Sequence, residues 1–281
     1  MNLREPVVET EWNCDMSHWW PTGPTPAVRS KLVRRIAREG RVLPTFTSIC
    51  LALMLAMYST TTKGTEEPHR IRLRYRPSPI SDFGIVSGSA RVTPEDQWAY
   101  IMPDKSIIKG QDSKDHYWIY FQTQKGEEVL LDCSMFTFNM CLVVHTDPYF
   151  DDFFAYGFPQ VVPSWFKDRT MSRGLANADP LLMERRRLSV LRDEGLQKAL
   201  QEVDLESNGD LGMAGDSLKI FTKFMSRAAL RAITDSEKEC LAKSFATDVN
   251  MILNTLKTNK WKHFPAQPKM GIEADPGGVV D

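Results

Sequence analysis

His116-Tyr117-Trp118-Ile119-Tyr120-Phe121-Gln122-Thr123, then Gln124-Lys125-Gly126, then Glu127-Glu128-Val129-Leu130-Leu131-Asp132-Cys133-Ser134: two β-prone runs around a short polar break decide the fold. Aromatic and branched residues suit a pleated surface, and glycine in the third loop position suits a three-residue hairpin, where a type I turn leads into a left-handed residue. That loop length sets the register, with His116 opposite Ser134 and Trp118 opposite Asp132. His116 and Asp132 then face the same side and sit diagonally, within reach of one another. A two-residue turn would send Asp132 to the other side, so a one-residue slip destroys the pairing.

C-terminal to the hairpin, residues 135–144 continue apolar, and an aromatic tract follows with Tyr149, Phe150, Phe153, Phe154, Tyr156 and Phe158. N-terminal to it, residues 77–115 read as loop-rich, because Pro77, Pro79, Gly84, Gly88, Pro94 and Pro103 interrupt every pattern. Residues 69–76 alternate strictly, Ile71, Leu73 and Tyr75 against Arg70, Arg72, Arg74 and Arg76, which predicts a strand. The arginine row suits phosphates or an acidic partner, but is more simply a solvated edge that discourages strand addition. Further back, residues 49–59 predict a helix with Ser48 as its cap. A basic helix from Thr25-Pro26 to about Glu39 is stopped by Gly40.

From Asp179-Pro180 the sequence predicts a helix to Glu206, a break at Ser207-Asn208-Gly209, and further helices. Thr234 with Glu237 three residues on forms a capping-box signature. The resulting fold class is α+β: a buried helix packed on an antiparallel sheet, with a C-terminal helical region. The expected organisation is an irregular N-terminal segment 1–25, an α/β core 26–165, a helical region 166–265 and a loose tail 266–281.

Charge and cysteine usage narrow the function classes. Lys+Arg 35 against Asp+Glu 36 leaves a net charge of −1, so no nucleic-acid partner is expected. Cys14, Cys50, Cys133, Cys141 and Cys240 are odd in number and contain no C-x-x-C pair. They read as reduced thiols of a cytoplasmic or nuclear protein rather than as a disulfide or zinc framework. Residues 1–25 lack the pattern of a secretory signal. Val42–Thr62 carries no formal charge and follows Lys31, Arg34, Arg35, Arg38 and Arg41, so a membrane anchor there is a minority reading. Pro44 and seven hydroxyl residues oppose it, and the fully apolar run, 49–57, has the length of a core helix.

One arrangement carries chemistry. A nucleophilic cysteine needs a thiol that loses its proton easily, a base within reach and a third group to orient that base. With Ser48 as cap, Cys50 is the second residue of its helix, where the positive dipole end favours thiolate. In the hairpin register Asp132 sits close enough to His116 for a carboxylate to hold an imidazole. The bland alternative is that Cys50 fills the core, as free cysteine most often does.

The order Cys50, Pro68-His69-Arg70, His116-Tyr117-Trp118-Ile119, Leu130-Leu131-Asp132 resembles the transglutaminase-like core of the papain-like cysteine enzymes. That resemblance spans about ninety residues. It implies Cys50 as nucleophile, His116 as base and Asp132 as orienter, with Trp118 and Arg70 as substrate-positioning residues. The family's small-residue turn before the cysteine is replaced here by Ser48-Ile49. A fainter likeness is to uncharacterised fungal proteins, some of which carry a MYND zinc finger whose cysteine pairs this chain lacks.

The lead expectation is therefore a hydrolase or acyl transferase acting on an amide or peptide bond of a peptide or protein substrate through a Cys50 thioester. The first alternative is a non-catalytic protein-interaction scaffold whose partner binds the C-terminal helices; the second is a protein anchored in a membrane through 42–62. No cofactor is called for. Asp204-x-Glu206-x-Asn208-Gly209 resembles the start of a calcium loop but puts Gly215 where a bidentate Glu belongs, so a polar break is the simpler reading. Arg185-Arg186-Arg187 reads as a solvated helix face, and His145 with Asp147 lacks a third metal ligand.

Overall fold

The computed structural model describes residues 2–3, 35–36, 38–62, 73–93, 97, 99–101, 107–138, 142–149, 161–163, 165–167, 182–203 and 215–272. Its elements are α1 (Val42–Thr62), β1 (Arg74–Tyr75), β2 (Ser78–Ala90), β3 (His116–Thr123), β4 (Glu128–Asp132), β5 (Leu142–His145), β6 (Val161–Pro163), β7 (Trp165–Lys167), β8 (Leu182–Ser189), α2 (Glu194–Gln201), α3 (Gly215–Ala229), α4 (Asp235–Lys257) and β9 (Met270–Ile272). The main sheet is antiparallel in the order β7-β4-β3-β2-β8, with β1 folded back on the start of β2. Two small sheets accompany it, one of β9-β5-β6 and one of Asn2–Leu3, Ala99–Ile101 and Ile107–Lys109. The expected α+β class, a buried helix on an antiparallel sheet, is what the chain adopts.

The hairpin forms in the expected register. Ile119 faces Leu131 and Tyr120 faces Leu130, which is the same alignment that sets Trp118 level with Asp132. The turn closes through Gly126 N–H to Thr123 O at 3.0 Å and Thr123 N–H to Glu127 O at 2.9 Å. Gly126 takes the left-handed φ of 77° that the loop requires.

Three expectations are corrected. Residues 77–115 are not loop throughout: Ser78–Ala90 is the long strand β2 in the interior of the sheet, between β3 and β8. Its glycines, read as breakers, are places where β8 passes close. A Cβ on Gly84 would lie 2.1 Å from the Leu188 carbonyl oxygen, and one on Gly88 2.1 Å from that of Met183. Second, 179–206 is not one helix. Leu182–Ser189 is the edge strand β8, and α2 begins only at Glu194, capped by Asp193. A register shift between Glu184 and Arg186 interrupts the alternation, so Arg185-Arg186-Arg187 lies on a bulged strand. Third, α1 begins at Val42 rather than Ile49, with Pro44 tolerated in its first turn. Ser48 is therefore no cap; its hydroxyl donates to Asp248 Oδ2 on α4 at 2.5 Å. Of the strand expected over 69–76, Arg74–Tyr75 pairs with β2; residues 69–72, the basic helix through residue 34 and the calcium-like loop at 204–214 lie outside the described residues.

The sheet has two different faces. Phe83, Ile85, Tyr117, Ile119, Leu131 and Leu188 point to the side covered by helices. There they share one apolar core with Leu43, Phe46, Leu51 and Met54 of α1, Phe221 and Phe224 of α3, and Leu241, Phe245 and Val249 of α4. Helices from the expected 166–265 region are thus built into the same core as the sheet. Val86, Trp118 and Tyr120 point to the opposite side, with Leu130 and Leu182 against them. On that side Arg187 lies over the Tyr120 ring, 4.4 Å from its centroid, and pairs with Glu184 on its own strand and Glu128 on β4. Tyr120 and Ser189 both donate to Asp82 Oδ atoms, at 3.0 and 2.5 Å.

The anchor reading of 42–62 fails on packing. Leu43, Phe46, Leu51, Met54 and Leu55 are buried by the chain itself, and among the described residues no helix is long and apolar enough to cross a membrane.

Helix α4 starts with the capping box read from the sequence. Thr234 Oγ1 accepts from Glu237 N–H at 3.2 Å, and Thr234 N–H donates to Glu237 Oε2 at 2.9 Å. Glu237 also takes a two-pronged contact from Arg231, at 2.8 and 2.9 Å. Burial opposes its charge, but the Arg231 guanidinium and the Thr234 groups outweigh it and hold the carboxyl below its ordinary value. A depressed folded-state value gives stability that is present above the unfolded value and lost as pH falls through the folded one. Glu237→Gln is therefore expected to cost about 2 kcal/mol near neutrality, with the gap to the parent closing in acid; urea melts across pH check it.

Candidate functional site

His116 opens β3 and Asp132 closes β4, on the side of the sheet away from the helices. Their side chains meet, His116 Nε2 to Asp132 Oδ2 at 2.5 Å, and both are fully buried. The other carboxylate oxygen, Oδ1, accepts Ser134 N–H at 2.7 Å, Ser134 Oγ–H at 2.8 Å and Met135 N–H at 3.1 Å. Asp132 thus satisfies the opening amides of the short 3-10 segment Met135–Phe138 while it holds the imidazole. Ser134 Oγ stands 3.4 Å from His116 Nδ1. The ring lies between Trp118 and Phe138, with centroids at 6.0 and 5.4 Å.

Ser134 is the participant that the reading of the sequence passed over, although the register placed it directly opposite His116. Serine, histidine and aspartate together invite comparison with a hydrolytic triad. Here the serine proton goes to Asp132, not to the ring, and all three side chains have no solvent exposure. The arrangement satisfies buried polar groups.

Cys50 sits elsewhere. It is the ninth residue of α1, far from the dipole end where thiolate is favoured. It is fully buried in the apolar core on the helix-covered face, the face of Tyr117 and Ile119. Burial pushes its thiol well above the ordinary value. Strand alternation sends His116 and Asp132 to the opposite face, so the β3 and β4 backbones lie between sulfur and imidazole. Two of the three expected site residues are brought together and the third is not.

Trp118 shares the His116 face but is only 2% exposed, and its Nε1 has no hydrogen-bond partner among the described residues. Arg70 lies outside the described residues. No cluster of three or more His, Cys, Asp or Glu suited to a metal occurs among the described residues. An open cleft of about 470 Å³ lies between Glu39, Gly40, Arg231, Thr234, Ser236 and Glu237, and neither Cys50 nor His116 lines it. No family model matches the chain, and neither does any curated protein or solved structure.

Proposed function

We propose that this chain is a non-catalytic protein-interaction scaffold. The observation that supports the reading is the division of the would-be catalytic groups by the sheet: a buried, proton-retaining thiol on one side and a sealed Ser134–His116–Asp132 network on the other. A cysteine enzyme needs the opposite, an accessible thiolate in contact with its base. The partner surface in this reading is formed by the C-terminal helices. Their inner faces are spent on the core, while Lys219, Lys223, Arg227, Glu239 and Lys243 face outward.

Thiol labelling tests it. With the chain folded, iodoacetamide is expected to modify half-buried Cys240 while Cys50 reacts at least about a hundredfold more slowly, the two becoming alike in urea. Faster labelling of Cys50 than of Cys240 near pH 6 (about half a unit below the ordinary histidine value) would restore the enzyme reading.

A further inference from the structure

The end of α4 is one of the basic stretches of the chain. Between Asp248 and Glu273 the sequence contains no acidic residue, yet it holds Lys257, Lys260, Lys262, Lys269 and His263, in a chain whose net charge is −1. The helix ends at Lys257, and Asn259 adopts a left-handed φ of 54° that turns the chain into a short 3-10 segment, Lys260–His263. Trp261 stands out there at 49% exposure, with Lys262 Nζ 5.7 Å from its ring centroid. Lys257, Lys262, His263 and Lys269 are all exposed. The next aromatic, Phe264, is turned inward and packs edge-on against Tyr149 at 5.1 Å, which fixes the base of the projection. The turn that carries Tyr149 also carries Asp147, an exposed acid on a neighbouring element.

A half-exposed indole with one lysine over its ring and further lysines on the same short stretch has a natural setting: the ring at the polar boundary of a bilayer, the ammonium groups on anionic headgroups. Single-stranded nucleic acid is the rival polyanion. It is usually held in a groove with several stacking rings in series, whereas Trp261 is the one large aromatic side chain exposed among the described residues. We infer that the 257–263 projection docks the protein reversibly on anionic lipid surfaces, Trp261 entering the headgroup layer and Lys257 and Lys262 pairing with lipid phosphates or carboxylates. The inference is independent of whether the chain is catalytic.

Co-sedimentation of the full chain with sucrose-loaded vesicles tests it. With about 30% phosphatidylserine in phosphatidylcholine the bound fraction is expected to exceed that on phosphatidylcholine alone at least about fivefold, and to be lost in about 0.5 M NaCl. The exposed double variant Lys257→Glu/Lys262→Glu, and separately Trp261→Ala, should each lower binding by a similar factor without changing Tm. The salt arm needs no variant, so it stands even if one folds poorly. Equal binding to neutral vesicles, no binding to either kind, variants that bind like the parent, or displacement from vesicles by an oligothymidylate at lower concentration than the lipid would each overturn the assignment.

Discussion

Gly84→Ala is expected to destabilise the protein by more than about 3 kcal/mol, and Gly84→Val to leave no folded chain in solution. The reason is the nature of the neighbours. A Cβ at position 84 would meet the Leu188 carbonyl oxygen at 2.1 Å, the Val190 nitrogen at 2.8 Å and the Ser189 Cα at 2.9 Å. All three are main-chain atoms that no rotamer change can remove. The segment is pinned as well, since Val190 and Leu191 N–H both donate to the Phe83 carbonyl, at 3.0 and 3.3 Å. Relief requires β8 to separate from β2, which opens the core beneath Val190 and Leu188. Thermal melts followed by circular dichroism decide it: an alanine variant melting within a few degrees of the parent would mean that β8 does not lie where it is placed.

Asp132→Ala is the second large effect, at about 3–5 kcal/mol. Its carboxylate serves four donors in a region without solvent: the amides of Ser134 and Met135, the Ser134 hydroxyl and the His116 ring. Removing it strands all of them at once, and water has no open route to replace it. Asp132→Asn should fall between, because an amide oxygen still accepts from the turn while the contact with the imidazole loses the carboxylate charge. Combining Asp132→Ala with His116→Ala should cost less than the two single losses added, since the double change leaves no half of the pair behind. Urea denaturation of the four proteins measures the coupling. Additive losses, or a single alanine variant within about 1 kcal/mol of the parent, would remove the network from its structural role.

What the sequence made legible follows from how local each feature is. The hairpin could be read because its register depends on one loop, and Gly126 identified that loop; the Asp132–His116 contact came with it. Strand β2 was hidden because Gly84 and Gly88 have meaning only beside β8, a segment about a hundred residues away. Strand β8 was hidden because its bulge at Arg185 spoils the alternation by which strands are recognised. The position of Cys50 was harder still. Both faces of β3 are apolar or aromatic, Tyr117, Ile119 and Phe121 on one and Trp118 and Tyr120 on the other. Alternation therefore gave no contrast to say which of them α1 would cover. Once α1 was found to start at Val42, the dipole argument for the thiol went with it.

Arg187 has a consequence for how the molecule comes apart. An outermost strand ordinarily frays first, one amide after another, while its neighbours stay shut. Here a single guanidinium rooted in that strand reaches across two others to a ring on β3 and an acid on β4. Peeling β8 must tear loose those distant attachments too, so the rim and the interior of the sheet yield together, as a laced seam gives way along its whole length rather than stitch by stitch.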